Sequence, residues 1–223
     1  MAWAPNSASS CSTSSRSNGA LATRRGKLIV IAGPSGVGKG SVIKRLLAID
    51  PSLRLSVSAT TRGARPGEID GVDYTFVTDD VFDAMIERGE LLEWAEIVGH
   101  RSGTPADWVE RTREAGYDAI LEIDVQGAGW VHKRISDAML VFLAPPSMEE
   151  LERRLRGRKT ETEERIQRRL ETAGWEMTQQ AWFDHVVVND DLEHASSQVA
   201  AIIQGSRADH SADGHDPTED RSR

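Results

Sequence analysis

An α/β fold built on a parallel sheet with helices over both faces is what the hydrophobic pattern of the chain predicts. Three observations carry that reading: continuous apolar runs of strand length, helical patterns between them, and a glycine-rich turn where the first run meets the first helix. The first run is "KLIVIAG" (27–33), followed by a helix over 39–49. "RLSVSA" (54–59) is the next strand, and helices are predicted over 79–88 and 105–115. "YDAILEID" (117–124), "AMLVFLA" (138–144) and "HVVVND" (185–190) repeat the buried-strand theme, with helices over 147–158, 161–180 and 192–204. In "SMEELERRL" a serine cap is followed by early acids and late arginines, the order a helix dipole favours. From 62 to 104 the strand–helix rhythm fails and short strands such as "YTFV" and "LLEWAEIV" appear, as expected of an insertion with its own small sheet.

Composition narrows the class. At 223 residues and 39% hydrophobic content, one sizeable domain with tails is expected. The single Cys11 excludes an internal disulfide or a cysteine zinc cluster and suits a reducing cytoplasm. No apolar run reaches the roughly 20 residues needed to cross a bilayer, so no membrane partner is expected. A net charge of -8 argues against a nucleic-acid surface. Residues 1–26 are acid-free and Ser-rich without an amphipathic period, and 206–223 are polar and unpatterned; both are read as disordered tails around an ordered domain at 27–205.

"GPSGVGKGS" (33–41) follows a buried strand and opens a helix, the setting in which a glycine pattern becomes a phosphate cradle. Gly33, Gly36 and Gly38, with Pro34, Ser35 and Val37 between them, let backbone N–H groups turn inward, and Lys39 supplies a point charge for the β and γ phosphates of ATP. Where the pattern wants a hydroxyl stands Gly40, with Ser41 one place late. "GKG" followed by a hydroxyl residue resembles the loop of adenylate kinases, and that resemblance implies a magnesium ion held mainly by water and nucleotide oxygens.

Downstream, "SVSATTRGARPGEIDGVDYTFV" (56–77), "LLEWAEIVG", "ILEIDVQGA", "RLRGRKTETEERIQRRL" and "VVVNDDL" occur in an order that resembles guanylate kinase from about Lys27 to Gly205. The resemblance implies a P-loop nucleoside monophosphate kinase fold: a five-stranded parallel core, a GMP-binding insertion at about 59–104 and a mobile lid at about 154–168. It implies transfer from ATP to GMP, and to dGMP, with Mg²⁺. Arg62 and Arg65, three apart in a Gly/Pro loop, can converge on one phosphate, with Tyr74 adding a hydroxyl. Spacing alone leaves a solvated basic loop equally open; the resemblance assigns them to the GMP phosphate. Guanine offers N1–H and an amine as neighbouring donors, so a carboxylate is its natural partner. Glu93 matches the family's guanine reader, Ser58 and Thr104 match further base contacts, and Asp124 matches a second acid at the base.

Glu122 and Asp124 lie two apart at the carboxyl end of a strand, where either acid could hold a magnesium-bound water or serve only as a strand-end acid. Among the arginines of 153–169 the solvated-face reading covers most, as i,i+4 pairs such as Glu149–Arg153 and Glu150–Arg154. By resemblance Arg154, Arg158 and Arg169 meet the transferring phosphoryl group, and Asn189 contacts the adenine side. One departure stands out: Ser102 occupies the place of a family tyrosine, leaving a gap at the GMP phosphate that the flanking His100 or Arg101 could have filled. Two other classes compete, a non-catalytic scaffold using the Arg/Tyr pocket for phosphopeptides and a kinase of phosphorylated sugars. Intact Lys39 speaks against the first, and Glu93 with Asp124 against the second.

Overall fold

A computed structural model describes residues 24–97, 99–157 and 162–212. Five strands form one fully parallel sheet: β1 (Leu28–Ala32), β2 (Leu53–Leu55), β7 (Asp118–Glu122), β8 (Ala138–Ala144) and β9 (His185–Val188), in the order β2-β7-β1-β8-β9. β1 lies at the centre with all five residues buried, which is why its sequence is apolar without alternation. Ile29, Ile31, Val141 and Leu143 face the layer of α1 (Lys39–Ile49) and α7 (Leu192–Ala212). Leu28, Val30, Leu140 and Phe142 face the other layer, which includes α3 (Ala106–Glu114) and α4 (Val125–Arg134).

The irregular stretch is a second, four-stranded sheet. It consists of β3 (Ala59–Thr60), β4 (Thr75–Phe76), β5 (Leu91–Ile97) and β6 (His100–Pro105) in the order β4-β3-β6-β5. Helix α2 (Asp79–Glu87), capped by the Thr78 hydroxyl, closes a small core of Ala59, Phe82 and Leu91. The run read as one strand at 54–59 therefore divides: it leaves the large sheet after Leu55 and enters the small one at Ala59. Helices α5 (Met148–Gly157) and α6 (Glu163–Thr178) take up both ends of the segment read as a lid, 154–157 and 163–168, and pack through Leu151, Leu155, Ile166 and Ala173.

Three expectations are corrected. α4 was not read from the sequence, because Gly127 and Gly129 disguise it as a turn. Arg153 pairs with Glu150, and not with Glu149. The ordered chain also extends beyond 27–205 at both ends: α7 continues to Ala212, and Arg24 already donates to Asp118. The reason is an ion cluster beneath the sheet. Arg207 donates to Asp118 at 2.7 Å, to Asp50 at 2.7 Å and to the Ser52 hydroxyl at 2.8 Å. Asp118 is only 1% exposed and also accepts from Arg24 and from the Lys27 amide. The remainder of both expected tails, 1–23 and 213–223, lies outside the described residues.

Removing one member of a buried charge cluster leaves the others desolvated and short of a partner, so Arg207→Ala should cost about 2 kcal/mol. Thermal unfolding checks this: the melting temperature should fall by several degrees, and Arg207→Lys should recover part of the loss.

Candidate active site

The phosphate loop leaves the carboxyl end of β1 and enters α1, so the first helical N–H groups, at Lys39 and Gly40, have no carbonyl within the helix to bond. Its shape is forced from behind. Asn189, just past β9, is buried and donates its side-chain amide to the Val37 carbonyl at 2.7 Å. A Cβ on Gly38 would stand 2.5 Å from that same amide nitrogen, and Gly38 has a φ of 103°, so only glycine fits here. Arg154 adds a second brace, donating to the Val37 carbonyl at 3.3 Å, the Asn189 carbonyl at 3.0 Å and Glu150 at 2.8 Å. Lys39 lies along the loop with its ammonium 2.6 Å from the Gly33 carbonyl and 3.3 Å from that of Pro34. Arg169 reaches the Ser35 hydroxyl at 3.0 Å, which brings α6 to the loop.

Glu122, the last residue of β7, opens into the cleft beside this loop. A Cβ on Gly40 would be 3.6 and 3.7 Å from its two carboxylate oxygens, ordinary contact distances. Crowding by the cleft walls raises the Glu122 carboxyl above its usual range, while Lys39 pulls it back. Glu122 also helps to raise the phenol of half-buried Tyr74, after the larger effect of burial. This acid is therefore the electrostatic link between the phosphate loop and the small sheet.

A second group is gathered deeper, where β5 and β6 meet α4. Glu93 is 4% exposed and accepts from the Thr104 hydroxyl at 2.7 Å, its register partner across the sheet. Burial pushes its carboxyl up to about 7, with the Thr104 bond opposing the shift and Asp124 adding to it. Gly127 makes the packing possible, since a Cβ there would meet a Glu93 oxygen at 2.6 Å. Asp124 is not a strand residue beside Glu122. It caps α4, accepting from the Gly127 amide at 2.7 Å, and so belongs to the Glu93 end of the cleft. Ser58 is buried at the entrance to β3.

Between the two groups stands the arginine loop. Arg62 pairs with Glu68 through both terminal nitrogens at 2.9 Å, with the rings of Tyr74 and Phe76 5.2 and 5.8 Å from its guanidinium. Arg65 is exposed nearby. The Ser102 position is settled by strand alternation. Ser102 donates to the Thr60 hydroxyl at 3.0 Å, and Thr60 in turn accepts from the Arg62 amide, so Ser102 secures the start of the loop. Arg101 points to the opposite face, where it pairs with Asp79 and Asp83 of α2, and it does not replace the missing tyrosine. Ser41 is exposed on α1, and Arg158 lies outside the described residues.

Sequence reading missed Glu68, Gly127 and Glu176. Glu176, on α6, is 6% exposed, and burial raises its carboxyl to about 7, with Lys39 opposing and Asp124 reinforcing the shift. In sequence it is one more acid on an amphipathic helix. The only available signal was its spacing of seven from Arg169, which puts both on one helical face.

The arrangement offers a phosphate cradle with a lysine at one end, a buried carboxylate beside a hydroxyl at the other, and arginines between. It fits two phosphorylated ligands meeting end to end. A family model described as guanylate kinase matches residues 25–206. A guanylate kinase of Mycobacterium sp. (strain MCS) is 50% identical over 194 residues, covering 86% of this chain and 96% of that protein. One from Nocardia farcinica is 54% identical over 183 residues, covering 81% and 95%. The crystal structure of guanylate kinase from Anaplasma phagocytophilum superposes with a TM-score of 0.69 at 32% identity, over 82% of this chain and 87% of that one. With nearly the whole ordered chain matched in sequence and in fold, this protein belongs to the guanylate kinase family.

Proposed function

We propose that the chain transfers the terminal phosphoryl group of ATP to GMP, giving ADP and GDP, with Glu93 as the residue that selects the acceptor base. The observation that carries this reading is the buried Glu93–Thr104 pair closed off by Gly127: a desolvated carboxylate needs donors, and guanine supplies two adjacent ones. Asp124 and Ser58 complete the base end. Arg62, Arg65 and Tyr74 hold the acceptor phosphate. dGMP, which carries the same base and phosphate, belongs to the same proposal as an acceptor.

An oxygen of the GMP phosphate attacks the γ phosphorus; the new P–O bond forms as the bond to the β–γ bridging oxygen breaks, and ADP leaves with that electron pair. The acceptor oxygen is already ionised near neutrality and needs no general base. The protein's contribution is position and charge. Loop amides and Lys39 hold the β and γ phosphates, Arg169 stands at the Ser35 edge of the loop, and Arg158 adds charge from the lid. Arg154 and Asn189 fix the loop from behind, in addition to the contacts proposed for Arg154 with the phosphoryl group and for Asn189 on the adenine side.

The donor set suits Mg²⁺. Hard oxygen groups, Glu122 and Ser41, lie next to the loop, with Asp124 deeper, and Gly40 leaves room at Glu122 for water. When bound, the ion supplies neutralisation of phosphate charge, held mainly by nucleotide oxygens and water. A cytoplasmic location follows from this reading, since its substrates are free nucleotides and the chain's one cysteine suits a reducing compartment.

Lys39→Met should leave a folded protein whose turnover falls by about 10²- to 10³-fold, measured with saturating ATP and GMP. Wild-type turnover in that variant would remove the mechanism.

For Glu93 the sign follows from its raised pKa: the ionised form accepts guanine's donors, so affinity is full above about 8 and is lost as pH falls through 7. Guanosine, which carries no titrating phosphate, should bind about tenfold more weakly at pH 6 than at pH 8. Calorimetric titration checks this, and Glu93→Gln should bind weakly with a flat pH profile.

Gly40→Ser should fold and remain active, because its Cβ meets only Glu122 and at contact distance. In a magnesium titration the half-maximal concentration should fall or stay level; complete inactivation would mean that the backbone itself requires glycine there.

A further inference from the structure

The loop from Arg62 to Glu68 closes on itself through one carboxylate. Glu68 takes one N–H from each terminal nitrogen of Arg62, both at 2.9 Å, and also accepts the backbone amide of Arg65 at 2.7 Å. Its own amide returns to the Arg65 carbonyl at 3.0 Å. The remaining N–H on Nη1 of Arg62 donates to the Gly63 carbonyl at 2.7 Å. A guanidinium has five N–H donors. With three engaged in this way, the guanidinium's other two donors lie on the edge formed by Nε and Nη2, and the Tyr74 side chain bonds the same guanidinium. Tyr74 and Phe76 restrict the tilt of the plane from its faces. Both partners are mostly shielded, with side chains 18% exposed, and the Arg62 bond holds the Glu68 carboxyl below its usual range, so the pair stays ionised.

We infer that Glu68 is a positioning residue for the acceptor phosphate: it fixes the plane of Arg62, with its Nε–Nη2 edge beside Tyr74, and folds Arg65 into the same loop before the ligand arrives. This rests on the reading that Arg62 and Arg65 hold that phosphate. The sign of the effect is the informative part. As a bare charge, an acid this close to a dianion repels it, and its removal would tighten binding. As the group that orders two long, rotamer-rich side chains, its removal weakens binding, because the ligand must then fix both arginines itself.

The test compares GMP with guanosine, which shares the base and lacks the phosphate, in equilibrium titrations of wild type, Glu68→Ala, Glu68→Gln and Arg62→Ala. Glu68→Ala should weaken GMP binding by roughly tenfold or more while guanosine binding changes by less than about twofold. Glu68→Gln keeps the shape and one acceptor oxygen and should fall between. The turnover of ATP-saturated enzyme at saturating GMP should change much less than the KM for GMP. Equal or tighter GMP binding by Glu68→Ala overturns the inference, as does an equal loss for GMP and guanosine, which would mark a collapsed loop. Failure of the underlying reading looks different: Arg62→Ala would then bind GMP as well as wild type.

Discussion

The amide of Asn189, wedged beneath the phosphate loop, is the contact on which the rest of the site depends. Through one bond to the Val37 carbonyl it fixes a loop that makes few regular backbone bonds of its own, and its bulk dictates a glycine at 38. Its carbonyl receives Arg154, which brings α5 to the same point. The carboxyl end of β9, the loop and α5 thus share one polar junction. Bonds from both Asn189 and Arg154 to the Val37 carbonyl hold the cradle from within the protein, so less reorganisation is left for the reaction itself.

Charge is distributed in the cleft in a way that composition does not reveal. Three carboxyls, Glu93, Glu122 and Glu176, are raised by burial, and Lys39 opposes the shift in the latter two. A cleft that must admit polyanions is thus lined by acids that burial inclines toward protonation. Other acids are paired outside the cleft, as in the surface pair Arg168–Glu164 and in the cluster around Asp118.

How much of this was legible in the sequence follows from what each residue depends on. The large sheet was legible because full burial on both faces leaves a continuous apolar run, as in β1 and β8. The phosphate loop was legible because its glycines and lysine serve a local conformation. α4 was not, since Gly127 answers to Glu93, 34 positions away, and not to its own helix. β6, "HRSGTP", carries so few apolar residues that only its pairing with β5 reveals a strand. The true length of α7 was hidden for the same reason, because Arg207 is held by Asp50 and Asp118 from distant parts of the chain. Ser102 and Arg101 show the limit most clearly: sequence put both at the acceptor site, and strand alternation sends one inward and the other to α2.

The small sheet also has a meaning in terms of topology. β2 and β7 are parallel neighbours, and a parallel pair cannot be joined without a crossover connection. Here that obligatory connection, residues 56–117, is the part of the chain that holds β3 to β6, Arg62, Tyr74, Glu93 and Thr104. The residues proposed to choose the acceptor, Asp124 apart, are therefore carried on a link which the sheet requires but whose content it leaves free. A change confined to that link leaves the register of β1, β7 and β8 untouched, so on the proposed assignment acceptor choice and phosphoryl transfer occupy largely separate stretches of the chain.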